Sequence, residues 1–353
     1  MFVINPGSTS TRFALFEETS PQNEAPTPRC RAEENVPASG GLDARLTDAV
    51  DFLERNGHLR LDAVVARGGL LAPVSSGTIA INEAMLTDAR EARRGKHASN
   101  LGCLIAHMVA GTHNVPSFIV DPVSVDEMLP EARLTGLPEV TRQSLSHVLN
   151  LHAAARQACR DLSLPLTESR LIVAHLGGGF SIVPMAGGRI LDTNNANSGG
   201  PFAPTRAGTL PTDALVRLCF SGQYTEAELL ARLTRNGGLR AHLNTDDARQ
   251  VEDRISAGDE HARLVYDAMG YQIAKEIGAF ATVLKGRLHA IVLTGGLVRS
   301  NSLCERVVES VGFLGPVLRY AGEFEMLALA EGAFRVLRGE DVAMTYPQGA
   351  ASR

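Results

Sequence analysis

The chain has 353 residues, 44% hydrophobic and 21% charged, an ordinary globular composition with the length of about two domains and room for a cleft between them. The net charge is -5 and Lys and Arg are scattered, which excludes the electrostatic footprint of a nucleic-acid or anionic-membrane binder and points to small-molecule work. Five cysteines, Cys30, Cys103, Cys159, Cys219 and Cys304, are odd in number and far apart, which argues against a disulfide framework and a zinc site and suits a reducing cytoplasm.

Phe2-Val3-Ile4 predicts a short strand that breaks at Asn5-Pro6-Gly7-Ser8-Thr9-Ser10 and resumes at Phe13-Ala14-Leu15-Phe16. Because a strand begins at once and no apolar run approaches a membrane span, neither export nor membrane anchoring is expected. Residues 21–40 carry Pro21, Pro26, Pro28 and Pro37 without periodicity and read as an irregular surface excursion. Ala63-Val64-Val65 and Phe118-Ile119-Val120 are strand candidates, with an amphipathic helix between them marked by Leu101, Leu104, Ile105, Met108 and Val109.

A second hairpin then opens. Leu171-Ile172-Val173-Ala174-His175 runs into Gly177-Gly178-Gly179 and on to Ser181-Ile182-Val183, with a further turn at Gly187-Gly188. A long helix from about His261 to Lys285, the strand Ala290-Ile291-Val292-Leu293 and a last helix, Met326 to Leu337, follow, and the final dozen residues read as frayed. The same strand, glycine turn and strand have occurred twice, each with later strands, so an internally duplicated α/β unit is the economical reading.

A polar glycine turn lets backbone N–H groups approach a phosphate closely. The first turn adds hydroxyls and a cation, Arg12; the triple glycine of the second weakens a strand, for which close approach of a ligand is a sufficient reason. Thr294-Gly295-Gly296-Leu297 follows an apolar strand, where open α/β sheets bind nucleotides. There is no GxxxxGK[ST] loop and no protein-kinase motif set, so a nucleotide would be held by another scaffold. Taken singly, these residues admit plainer roles: His175 as a core histidine, His147 as a helix-start residue, Asp121 before Pro122 as a turn former. His97 and Asn100 could cap a helix, and Arg206, Asp247 and Arg249 could be solvated loop charges.

Joint register favours the chemical reading. The string Ile4 to Thr11 resembles the opening phosphate hairpin of the acetokinase family. Arg67-Gly68-Gly69-Leu70-Leu71, His97 to Gly102, Ile119 to Val123, Ala174 to Gly179, Gly200-Pro201-Phe202 and Leu293 to Leu297 resemble its butyrate kinase branch, in order and over nearly the whole chain. The resemblance implies two actin-like, ribonuclease-H-like domains with an interdomain cleft. The acid-binding domain would comprise 1–145 plus 325–353, and the nucleotide-binding domain 146–324. It also implies ATP/ADP and Mg²⁺, a short-chain carboxylic acid (butyrate foremost) phosphorylated by direct in-line transfer, and a homodimer. A nucleotide-dependent switch protein on the same scaffold, or a kinase of another short acid, is the alternative.

Placed on residues, the resemblance implies phosphate contacts from Asn5, Ser8, Ser10 and Arg12 and from Gly177, Gly178 and Gly179. Asp247 and Arg249 match a nucleotide-side pair, near Gly295 and Gly296. Arg206, His175, His147 and Asp121 match the catalytic group, with Asn5, Asp121 and Glu325, or Glu323, on the metal side. Acetate-specific members carry an arginine in the strand that here reads Ala63-Val64-Val65-Ala66, so Arg67, with His97 and Asn100, is expected to face the acid.

Overall fold

The computed structural model describes residues 1–19, 27–38, 40–57 and 60–347. Each half begins with an apolar strand buried on both faces, as strands flanked by covering layers must be. In the first unit β1 (Phe2–Pro6) pairs antiparallel with β2 (Ser10–Thr19), which pairs antiparallel with β3 (Thr27–Pro37). On the other side of β1 lie β4 (Val64–Arg67), β5 (Thr78–Ala80) and β6 (Ser117–Val120), with β4 parallel to β1 and β6 parallel to β4. Phe2, Phe13 and Phe52, stacked with centroids 5.8–6.0 Å apart, join this sheet to helix Leu42–Arg55.

The second unit repeats the plan. Strands β7 (Arg170–Leu176), β8 (Phe180–Ala186) and β9 (Arg189–Ile190) form an antiparallel meander, and β10 (Ala290–Gly295) and β11 (Val317–Ala321) continue the sheet in parallel from β7. Met269, Ile273, Ile277 and Phe280, at helical spacing on Glu260–Val283, bury one face of that helix in its core. The chain returns to the first unit through helix Glu325–Leu337 and closes with β12 (Met344–Thr345). The sheets run β12-β5-β6-β4-β1-β2-β3 and β11-β10-β7-β8-β9, so β6-β4-β1-β2-β3 and β11-β10-β7-β8-β9 are the same arrangement twice. The expected duplication is present in the topology. Helix Val148–Asp161, after β6, packs on β7 and β10; helix Glu325–Leu337, after β11, packs on β1, β4 and β6.

Three sequence expectations change. Residues 27–37 form an edge strand and not an irregular excursion: Ala32 and Val36 lean on the core while Arg29, Arg31, Glu33 and Glu34 face water, and Pro28 and Pro37 sit near its ends, where a lost N–H costs least. Residues 21–26 and 39 of that excursion lie outside the described residues. The tail is ordered through Tyr346, which is buried and whose hydroxyl accepts from Ala72 N–H and donates to Asp88, each at 2.7 Å; residues 348–353 lie outside the described residues. The units part at Asp126/Glu127 and Glu323/Phe324. Residues 127–145 go with the second unit because their bonds do: Leu129 N–H to Leu191 O at 2.9 Å, Arg142 to Asp192 at 2.9 Å and to Thr193 O at 2.7 Å, and Ala196 N–H to Leu145 O at 3.1 Å.

Candidate active site

In the first unit three neighbouring parallel strands end together. Ile4 registers with Ala66, and Arg67 with Val120, so Asn5, Arg67 and Asp121 come to one edge of the sheet, the carboxyl edge at which open α/β folds place ligands. Glu325, the first residue of its helix, joins them: its Oε2 accepts from Asn5 Nδ2 at 2.7 Å and its Oε1 pairs with Arg67 at 3.2 Å. Arg67 is therefore already half-neutralised, and an acid seated on it shares the guanidinium with Glu325. Asp121 is buried with φ +42, a left-handed conformation that Asp tolerates better than most residues. Two reciprocal bonds hold it there, Gly77 N–H to Oδ1 at 2.7 Å and Asp121 N–H to Gly77 O at 3.0 Å.

His97 receives the Ser99 backbone N–H on Nδ1 at 3.2 Å, with Ser99 Oγ 2.6 Å from the same atom. A backbone N–H can only donate, so the neutral ring carries its proton on Nε2. Burial, and secondarily the charge of Arg67, hold the imidazole below its ordinary pKa, which favours the neutral ring. Asn100 serves the loops beside it. Its Oδ1 takes Leu70 N–H at 2.8 Å and its Nδ2 gives to Gly95 O at 2.9 Å, clamping the loops around the site; a Cβ on Gly69 would come within 2.2 Å of that Oδ1.

The first hairpin turn closes with Gly7 N–H to Ser10 O at 2.8 Å and leaves Ser8 exposed. Arg12 pairs with Glu33 on β3 at 3.6 Å and, as the cross-strand partner of Asn5, leaves the same face of the sheet. Arg45 braces the turn from the opposite face, on the side of Thr11. It is 4% exposed, and one of its nitrogens, Nη1, donates to Gly7 O at 2.9 Å and Thr11 Oγ1 at 2.7 Å, with Ser10 O at 3.5 Å. Among the described residues no carboxylate lies within ion-pair distance of it, and it sits in a helix's first turn, where the backbone dipole disfavours a cation. Its sequence signal was an arginine on an apolar face, three residues after Leu42 and four before Ala49.

In the second unit a cavity of about 730 Å³ is lined by Gly177, Gly178, Pro204, Asp247, Arg249 and Gly296, among others. Gly177, Gly178, Asp247, Arg249 and Gly296 thus share one hollow, which Gly179 and Gly295 do not line. Asp247 caps helix Ala248–Ser256 by accepting Arg249 N–H at 3.0 Å, and the Arg249 guanidinium, 2.7 Å from Oδ2, holds this carboxyl below its ordinary range. Glu323 also lines the cavity, whereas Glu325 sits with Asn5 and Arg67: the two acids weighed for one role belong to different units.

The glycines differ in cause. A Cβ on Gly179 would fall 2.3 Å from the Arg206 guanidinium, and one on Gly295, at φ +101, would strike Leu176 O at 2.4 Å. A Cβ on Gly178 would meet nothing closer than 4.0 Å, and one on Gly296 nothing within 4 Å, although both residues line the cavity. Arg206 lies over the hairpin, its Nη1 donating to Ala196 O at 2.7 Å while its Nε is buried without a hydrogen-bond partner among the described residues. Burial lowers its pKa from the ordinary guanidinium value. His175, at the end of β7, has the ring of His147 stacked on it at 4.2 Å and 26°; His147 Nδ1 lies 2.8 Å from Ser181 Oγ. Asn150, missed from sequence, reaches His175 Nδ1 at 2.7 Å.

A doubled strand-turn-strand core whose second turn carries a guanidinium over Gly179 and an imidazole against Gly177 has the donors that phosphoryl transfer calls for, and the class is a phosphotransferase. The acetokinase family profile matches residues 144–325, and the chain belongs to the acetokinase family. Over 98% of the chain and 99% of each relative, it is 46% identical to probable butyrate kinase 2 of Caldanaerobacter subterraneus and 44% identical to butyrate kinase 1 of Clostridium acetobutylicum. The crystal structure of acetate kinase from Porphyromonas gingivalis shares the fold, with a TM-score of 0.78 at 20% identity over 94% of this chain and 98% of that one. No helix among the described residues is long and apolar enough to cross a membrane.

Proposed function

We propose that the protein transfers the γ-phosphoryl group of ATP to the carboxylate of a short-chain fatty acid, butyrate foremost, releasing ADP and an acyl phosphate. The observation that carries phosphoryl transfer is Arg206, a half-buried guanidinium laid over Gly179 with its Nε–H unpartnered among the described residues, beside Gly178, whose Cβ space no protein atom fills. The choice of butyrate rests on the names of the two full-length relatives.

In this reading the ATP phosphates lie along Gly177, Gly178 and Gly179, the adenosine extends toward Gly295, Gly296 and the Asp247–Arg249 pair, and the resemblance assigns Asn5, Ser8 and Ser10 to phosphate. Arg67 and the Nε2–H of His97 hold the acid. A fatty acid titrates near a Glu side chain, about 4.3, so at neutral pH the nucleophile is ionised and no base is required. One carboxylate oxygen bonds to the γ-phosphorus as the bond from that phosphorus to the β–γ bridging oxygen breaks, and the electron pair leaves with ADP. The protein contributes position and charge: Arg206, His147 and His175 donate to oxygens that gain charge in the transition state.

Among the described residues no three His, Cys, Asp or Glu side chains gather as a metal site, and Glu325 spends both oxygens on Asn5 and Arg67, so Mg²⁺ would meet this donor set largely through its own waters. Mg²⁺ keeps several waters and takes one or two carboxylates besides phosphate oxygens; Asp121, with Asn5 and Glu325, would hold it, and it would supply neutralisation of the β- and γ-phosphate oxygens. Cytoplasmic location and a homodimer complete the reading by resemblance. The test is ADP release, coupled to NADH oxidation, across straight and branched acids of two to five carbons. Acid-stimulated turnover with formation of acyl hydroxamate on hydroxylamine trapping is expected; ATP hydrolysis indifferent to every acid would leave a nucleotide switch as the function.

A further inference from the structure

Asn150 stands in the first turn of helix Val148–Asp161 among buried Val148, Leu149 and Leu151 and is itself 1% exposed. An amide so placed has lost its water and must be answered by protein groups. Its Nδ2 lies 2.7 Å from His175 Nδ1 and 3.3 Å from Thr294 Oγ1. Those two residues are partners across the parallel β7–β10 ladder, so one side chain ties together the ends of both strands.

The chemistry of the contact is directional. A neutral imidazole has one N–H and one lone pair, and an amide N–H aimed at Nδ1 requires the lone pair there. The proton then resides on Nε2. That nitrogen faces the glycine turn, since a Cβ built on Gly177 would approach it to 3.0 Å. The stacked ring of His147 limits how far His175 can tilt to exchange its nitrogens.

We propose that Asn150 is a positioning residue that fixes His175 as its Nε2–H tautomer, so that the imidazole offers a donor, and not a lone pair, to an anion in the turn Gly177–Gly179. Its catalytic consequence rests on the phosphoryl-transfer reading: a donor stabilises charge growing on phosphoryl oxygens, and the opposite tautomer repels it. The tautomer itself can be measured without substrate.

The experiment is a long-range ¹H–¹⁵N correlation on protein labelled at histidine, at pH 8, with the His175 ring identified by its loss in His175→Gln. The expected pattern is a pyridine-like Nδ1 and a pyrrole-like Nε2. Asn150→Asp, which can only accept, should move the proton to Nδ1 and lower kcat about 100-fold, the size of losing one preorganised donor, with KM for ATP changing less than threefold. Asn150→Leu should give a mixed tautomer and an intermediate loss. A pyrrole-like Nδ1 in the unsubstituted protein overturns the assignment even if neither variant folds. A proton that moves in Asn150→Asp without a fall in kcat overturns the positioning role. The expected spectrum in a protein with no acid-stimulated turnover would instead remove the phosphoryl-transfer reading and leave the tautomer standing.

Discussion

Replacing Gly179 by alanine separates the catalytic use of the glycine turn from its structural cost. The backbone at Gly179 is not left-handed, so the change introduces no φ strain; the whole effect comes from the new methyl, 2.3 Å from Arg206 Cζ and Nη1 and 2.5 Å from Nε. Non-bonded carbon contacts settle at about 3.5 Å, so the guanidinium must retreat by about 1 Å. It is the far end of a flexible chain, which makes the retreat cheap in stability, but it is held by Ala196 O at 2.7 Å and must stretch or exchange that bond. A displacement near 1 Å at a group stabilising a transition state lowers the rate about 100-fold, or about 2.7 kcal/mol, with Tm moving by only a few degrees. Gly178→Ala is the internal comparison: its methyl meets no protein atom closer than 4.0 Å, so any loss there reports the ligand and should appear in KM for ATP. The assay is coupled ADP release at saturating acid for Gly179→Ala, Arg206→Ala and the double variant. Because the methyl acts through Arg206, Gly179→Ala should cost little once Arg206 is gone. Equal, additive losses in the cycle would show that Gly179 serves the reaction by some route other than the guanidinium.

Arg45→Met should lower stability in urea by about 1–3 kcal/mol, since the Gly7 and Ser10 carbonyls lose a buried donor, and should raise KM for nucleotide; Arg45→Lys should recover part of both, and an unchanged KM would confine Arg45 to folding. Arg67→Ala should weaken butyrate binding by calorimetry with ATP affinity nearly intact, and should raise the pKa of His97 by removing the secondary of its two depressing causes, which NMR titration reads; loss of ATP binding with butyrate unaffected would move Arg67 to the nucleotide side. Asp121→Asn keeps an Oδ1 for Gly77 N–H and a residue that tolerates φ +42, so it removes the charge and the Oδ2 acceptor without disturbing that turn. It should lose most activity, raise the Mg²⁺ needed for half-maximal rate and recover in part with Mn²⁺, with the acidic limb of the kcat profile unchanged; a lost acidic limb at unchanged metal dependence would make Asp121 a titrating base.

What could be read from the sequence was what broke a local rule. Three glycines inside an apolar strand pair and a polar turn between two short strands stood out because nothing local rewards them, and the repeated device led to a duplication that the two sheet orders display. Residues whose meaning is tertiary did not stand out. The edge strand β3 hides its strand period because one face is given to water and charge. Arg45 and Asn150 are polar residues on apolar helix faces, a signal present in the sequence, but one without direction until β2 and β7 lie beside those helices. Asn100 carries a structural duty the string did not announce: its amide bonds two backbone groups, and no spacing rule reveals a loop clamp.

Glu323 and Glu325 mark where sequence distance ceases to inform. Glu323 stands two residues past β11 and lines the second unit's cavity, whereas Glu325 begins a helix that packs on β1, β4 and β6 and so meets Asn5 and Arg67. The separation follows from the return of the chain to the first unit at Glu323/Phe324. In a duplicated fold that crosses between its units, a motif found at such a crossing distributes its residues to two sites, and adjacent acids there should be tested singly, never as alternatives for one role.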